Sequence, residues 1–337
     1  MKLLLRCQIL GTLFFGITTM TALAQESFSV NSSSLQKVVP SVHGLNLTSQ
    51  AGVLFSNLNY GDEISADNNY LYGNLAFPNQ NFSIGIDVNS MSLNQLGLKK
   101  NDIRVSYAYK LKIGYDTYLL GGFDVGITSQ LIDPSQLVFN DQLNLQLGAI
   151  VGTSIDPLAQ IEPATNYLDI GVSGLLYSEK FLVGLHIAHL NSPNISFNKE
   201  TEINKDIGLR ILGAIELDIN PYGRGILPEN TFLFGTIYGA FNGETTRYVT
   251  SQEIQLSNIS FGLMQSLVNF NQNSSLDFGV LSTLSLDKFL LNLSYSFQPD
   301  SEVTNSSSIF EIGLRFNFDR FSSNKRGYYK RLNTYNF

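Results

Sequence analysis

Three histidines, His43, His186 and His189, are the side chains of this 337-residue chain best suited to proton transfer or metal binding. His186 and His189 lie three apart. On a strand, residues i and i+3 point to opposite faces, so one metal ion does not take both, and the pair reads as rim or interior residues. His43 stands alone ahead of the first strand pattern. Asp87, Asp124 and Asp169 are scattered carboxylates on an inner face, suited to solvation or to pairing with Arg104 or Arg210. A serine hydrolase would need a nucleophile elbow of the form Gly-x-Ser-x-Gly, and none is present. Gly121-Gly122 lies within a strand pattern and reads as a bend or close packing, not a phosphate loop. These patterns call for no catalytic residue, metal or cofactor.

The elements that carry these residues are strands. Charged residues make up 15% of the chain, against roughly 25% in average soluble domains, while aromatics reach 12%, with 23 Phe and 16 Tyr. Such aromatic content excludes disorder, and an acidic chain of net charge −7 excludes a basic nucleic-acid binder. Lys2 and Arg6, an apolar stretch from Ile9 to about Thr21, and Ala22-Leu23-Ala24 before Gln25 form a secretory signal pattern over 1–24. Cys7, the single cysteine, falls inside it, so disulfides and thiolate chemistry are not expected after export. Loss of Lys2 and Arg6 leaves 19 basic against 28 acidic residues, a mature charge of −9. Residues 25–43 are expected to be a periplasmic segment ahead of the strands.

Period-two alternation starts near Gly44 and continues to Phe318. Its clearest run sets Ile103, Val105, Tyr107, Tyr109, Leu111 and Ile113 against Asp102, Arg104, Ser106, Ala108, Lys110 and Lys112. Tight turns at 78–81, 114–117, 178–180 and 284–288 alternate with longer polar stretches at 57–68, 90–101, 131–166, 190–205, 243–250 and 298–307. Short turns at one end and long loops at the other are the habit of outer-membrane barrels. The runs have the length that tilted strands need to cross a bilayer, and a closed barrel leaves no unpaired edge in lipid. The expectation is an all-β, outer-membrane transmembrane antiparallel β-barrel over 44–318. Thirteen runs are visible, and splitting 251–270 near Gly262–Gln265 gives an even fourteen. The apolar face meets outer-membrane lipid, while Arg104, Lys110, Lys112, Arg210 and Glu216 face the lumen. An arginine placed on the lipid face, as at Val105, is expected to do more harm than one at Ser106 or Gly184. The tail 319–337 carries Arg320, Lys325, Arg326, Lys330 and Arg331, either a solvated extension or an electrostatic handle for a periplasmic partner.

Two stretches resemble a known family. Asn-Phe-Ser-Ile-Gly-Ile-Asp-Val from Asn81, followed by Arg-Val-Ser-Tyr-Ala-Tyr-Lys-Leu-Lys-Ile-Gly at 104–114, resembles the third and fourth strands of the PorP/SprF outer-membrane proteins of type IX secretion. Residues 169–185, ending in Ala188-His189-Leu190, follow that family's Gly–Tyr–Ser–x–Lys–Phe–x–x–Gly–Leu hairpin. Asp287-Lys288-Phe289 and the run Glu311–Phe316 also fit, and Asp156-Pro157 matches an Asp-Pro in the loop before the hairpin. Val39-Pro40-Ser41-Val42-His43 replaces the family's usual Tyr-Asn-Pro-Ala-type opening, and the family's frequent Trp is absent. The resemblance implies a fourteen-stranded barrel, without enzymatic activity or cofactor, in the secretion, docking or anchoring of an exported protein such as a large surface adhesin. It implies partners among exported substrates and periplasmic secretion components, with Asp156, Pro157, His189 and the basic tail as contact candidates. The alternative function is a passive pore for small solutes.

Overall fold

The computed structural model describes residues 34–45, 49–60, 64–94, 97–133, 139–144, 149–150, 152–154, 164–197, 202–223, 225–228, 231–270, 273–286, 288–299 and 307–318. The signal pattern, Asp156, Pro157 and the tail from 319 onward lie outside them. Fourteen strands form one closed antiparallel barrel: β1 Gln50–Tyr60, β2 Ile64–Phe77, β3 Phe82–Leu93, β4 Leu98–Lys112, β5 Thr117–Ile132, β8 Ala164–Ser178, β9 Phe181–Ala188, β10 Gly208–Asp218, β11 Thr231–Asn242, β12 Thr245–Leu256, β13 Ile259–Phe270, β14 Asn273–Leu286, β15 Phe289–Phe297 and β16 Ser308–Asn317. Two short strands, β6 Leu143–Asn144 and β7 Ala149–Ile150, pair with each other inside the β5–β8 connection. Every barrel strand pairs with its sequence neighbour in the wall, and β1 closes the ring on β16 from Gln50↔Asn317 to Asn59↔Ser308.

Alternation sets the two faces. In β4, Ile103, Val105, Tyr109 and Leu111 point outward while Ser106 and Ala108 are buried within. Outward apolar rows continue around the ring, from Val53 in β1 to Phe310, Ile312 and Leu314 in β16. The sequence count of fourteen matches the ring, but the dividing turn does not lie near Gly262. The chain reverses at Ser257-Asn258, with Ser257 at φ +55°. Ser and Asn are ordinary turn residues, but in a chain this rich in both a two-residue turn without Gly or Pro does not stand out. Gly262 instead sits mid-strand, where a Cβ would run into the Gln252 carbonyl.

Three stretches expected as long loops are largely strand. β1 and β2 extend to Tyr60 and from Ile64, β3 and β4 are joined through residues 94–97, and β11 and β12 meet at Gly243-Glu244. Their polar residues continue the ladder through side-chain hydrogen bonds: Asn57 Nδ2 donates to Asp67 Oδ1 (2.7 Å) and Ser90 Oγ to Asn101 Oδ1 (2.7 Å). Polarity there reports strands extending past the apolar band, not an absence of strand. The connections 133–163, 189–207 and 298–307 are long and share one end of the barrel with these turns. At the opposite end, where β1 starts and β16 finishes, the turns are short except for the stretch 219–230 between β10 and β11.

The lumen is filled. Residues Ser34–Leu45 form two single-turn 3-10 helices, Leu35–Lys37 and Pro40–Gly44, and lie inside the barrel. Leu35, Val38, Val39, Val42 and Leu45 join the inward Ala108, Leu120, Leu175, Leu182, Leu212, Phe234, Tyr238, Met264 and Leu281 in one apolar core. This corrects the expectation that the chain up to 43 precedes the barrel in the periplasm: its described part is interior, and Gly44 and Leu45 belong to it and not to the wall. Full burial of the five aliphatic side chains contributes on the order of 10 kcal/mol as an upper figure. Close approach matters here too, since a Cβ on Gly184 in β9 would press on Val39 and Leu175.

Candidate functional site

The interior segment is fastened to the wall by polar contacts. His43 Nε2 lies 3.0 Å from Asp87 Oδ2, and the Tyr70 hydroxyl donates to the same carboxylate. Ser41 N donates to Ser173 Oγ (3.1 Å), and the two serine hydroxyls also hydrogen-bond to each other. Asn74 Nδ2 donates to the His43 carbonyl (3.1 Å), and Arg210 reaches the Lys37 carbonyl (3.4 Å). Lys37 Nζ stands 4.6 Å from the centre of the Tyr70 ring. The segment is thus held on β2, β3, β8 and β10 at once.

Toward the long-loop end lies a charged network centred on Arg104. Its Nε is 3.5 Å from Asp124, and its terminal nitrogen is 3.5 Å from both Asp102 and Asp169. Strand register explains the reach. Asp87, Arg104, Gly126 and Asp169 occupy one cross-strand row through β3, β4, β5 and β8. The missing side chain at Gly126 lets the guanidinium extend across β5 to Asp169. Gly171 does the same one row away, where a Cβ would collide with His186 Nε2 and Asp124. Asp124 accepts from His186 (3.0 Å) and Asp169 from His189 (2.7 Å), so all three histidines of the chain pair with inward aspartates.

His186 and His189 both point inward, against the expectation of opposite faces. His189 lies one residue beyond β9 with φ +60°, and that left-handed turn returns its ring to the lumen. There its Nδ1 lies 2.7 Å from Asp169, and the ring is almost wholly buried. His189, expected among partner-contacting residues, is therefore a buried interior group. Among the described residues no group of three or more His, Cys, Asp or Glu is arranged to hold a metal ion.

The remaining sequence candidates fall as follows. Arg104, Arg210 and Glu216 are inward and shielded. Lys110 and Lys112 lie at the short-turn mouth: Lys110 Nζ stacks 4.4 Å from the Tyr118 ring and 5.5 Å from Tyr177, and Lys112 Nζ lies 5.9 Å from Tyr118. Among the described residues neither lysine has a carboxylate within ion-pair distance. Asp156, Pro157, Arg320, Lys325, Arg326, Lys330 and Arg331 are outside the described residues. The sequence reading set Asp102 on the same face as Arg104 without pairing the two, and it missed Tyr70 and, above all, the interior segment. Its Leu35, Val38, Val39, Val42 and Leu45 recur at helical spacing, a signal hidden by the period-two search.

The type IX secretion system membrane protein PorP/SprF family model matches residues 26–316. No curated protein matches the chain. Among solved structures, the chain is similar to the Acinetobacter baumannii outer membrane protein Omp33 (10% identity, 82% of this chain and 100% of that chain, TM-score 0.46). It is also similar to a deletion mutant of the monoaromatic hydrocarbon channel TodX (12% identity, 87% and 95%, TM-score 0.48). A third is the translocator domain of the autotransporter NalP from Neisseria meningitidis (9% identity, 89% and 98%, TM-score 0.36). A closed barrel with an outward apolar face and a match across nearly the whole chain place the protein in the bacterial outer membrane, and the chain belongs to the PorP/SprF family of type IX secretion system membrane proteins.

Proposed function

We propose that this barrel docks or anchors an exported protein of type IX secretion at the outer membrane and does not serve as a conduit through its own lumen. The observation that carries the reading is the apolar core built by residues 34–45 within the barrel. A solute pore needs a continuous wet path, and here aliphatic side chains from the segment meet aliphatic side chains from the wall. The working surfaces are then the two ends. The long-loop end, with 133–163 and its Asp156-Pro157 pair, receives the exported partner. The short-turn end faces the periplasm, as is usual for such barrels, and offers the basic tail to the secretion apparatus.

Single-channel recording in planar bilayers tests the reading directly. The full chain should give no stable conductance, whereas deletion of residues 34–45 should open steps if the barrel still closes. Stable open-channel steps from the intact protein would favour the passive pore. In cells, deleting the gene should strip one exported protein from the surface without altering small-solute uptake.

A further inference from the structure

The two neighbours of β8 end at different heights. On one side β5 pairs with it as far as Leu131↔Ala164. On the other, β9 stops at Ala188, and β10 beyond it begins at Gly208, opposite that residue. From Ile170 to Ala164, β8 therefore rises toward the long-loop end with one flank free of any strand. The lower part of this flank is sealed. Leu190 N donates to the Ile170 carbonyl (2.9 Å), Ile170 N to Asn191 Oδ1 (3.1 Å), and Asn191 Nδ2 to the Leu168 carbonyl (2.7 Å). Ser192, at φ +40°, then turns the chain away. Ile195 N donates to the Ile203 carbonyl (2.8 Å) and Lys205 N to the Pro193 carbonyl (2.9 Å), so the 189–207 connection pairs with itself and not with β8.

The seal ends where the apolar band ends. One outward row, Val88, Ile103, Ile127 and Leu168, is apolar, and the next row toward the long loops, Ser90, Asn101, Ser129 and Asn166, is polar. Below that step an unpaired backbone group is costly in lipid, and there Asn191 supplies partners. Above it none is supplied. Backbone groups face the two neighbours of a strand alternately, so Asn166 and Ala164 aim theirs at the same flank as Leu168 and Ile170. Among the described residues nothing hydrogen-bonds on that flank to the Leu168 N–H or to the backbone of Asn166 or Ala164.

We infer that this flank is a strand-addition site, on which an extended segment of the exported partner lies as a further strand just outside the membrane. An uncovered strand edge is a template for pairing. Its N–H and C=O partial charges alternate at strand spacing, and another extended backbone matches that alternation where a lipid headgroup cannot repeat it. Main-chain bonds supply the affinity, and the flanking side chains select the segment. On the inner face these are Tyr167 and Lys205, whose Nζ stands 5.5 Å from the centre of the Tyr167 ring, and on the outer face Leu168 and Asn166. The inference rests on the reading that the long-loop end receives an exported protein.

The test uses the full-length protein in cells. Asn166→Pro removes the N–H on the open flank and leaves the β5 ladder intact, since proline is tolerated on strand edges. Asn166→Ala keeps that N–H. Both should reach the outer membrane and give the folded band in heat-modifiability gels. The proline variant should lower the amount of the exported protein held at the surface by about tenfold or more, and the alanine variant should not. Ala164→Pro, on the same flank, should act alike and replaces Asn166→Pro if the latter weakens the folded band. A photo-reactive side chain at position 166 should form an adduct with that exported protein. Equal retention by the proline and alanine variants, or an adduct with lipid alone or with a second copy of this chain, would overturn strand addition. Gene deletion separates this from the docking reading. If deletion strips the exported protein and the proline variants do not, docking stands and the strand-addition site fails; if deletion leaves it in place, both fail.

Discussion

Arg104 is the residue on which the interior charges depend. It sits among Asp102, Asp124 and Asp169, and its removal leaves three carboxylates facing one another in a shielded space. Arg104→Met should therefore destabilise the barrel by about 3–5 kcal/mol, read as a fall in the temperature at which the folded band disappears in heat-modifiability gels. Asp102→Asn should cost far less, because two carboxylates remain for the guanidinium. The inward direction of Arg104, Arg210 and Glu216 could be read from alternation alone. The company they keep could not, because it depends on register and on side chains missing at Gly126 and Gly171. The His189 ring escaped the reading because one left-handed residue breaks the parity rule.

Strands were legible where one face is apolar, as in β4, and poorly legible where they rise past the apolar band, as in β1 and β2. Their Asn and Asp residues read as loop because composition does not distinguish a solvated strand from a turn. The filled interior also changes what a substitution means. Val105→Arg puts a charge into lipid, at roughly 2–4 kcal/mol near the midplane. Ser106→Arg was expected to be milder, yet Ser106 is buried beside Asp124 in the next strand. Overpacking there adds about 1–3 kcal/mol, so the two arginines should be comparably harmful. The informative contrast is Ser106→Ala, which should leave urea stability in proteoliposomes almost unchanged. For the interior segment, Val39→Asp places a carboxylate in the apolar core next to Leu175 and Gly184. It should loosen 34–45 without unpairing any wall strand, making that segment accessible to protease in otherwise folded barrels. Protection equal to wild type would mean that the wall pockets do not hold the segment.

Closure of the whole molecule depends on the β1–β16 seam, where ten residue pairs join the first strand to the last. Deleting 309–318 removes one side of it and should abolish insertion. Deleting 319–337 leaves every described strand intact and should not, as cell fractionation and gel mobility would show. A tail-deleted chain that fails to reach the outer membrane would place the insertion signal beyond Phe318. The packed lumen has a mechanical consequence as well. An empty fourteen-strand tube can ovalise when pulled from one side, since its wall is a single sheet with soft shear between strands. Here the column of residues 34–45 braces β2, β3, β8 and β10 from within, and close-packed interiors have low compressibility. A sideways load on the ring then meets a packed interior, and the wall yields less than that of an empty tube.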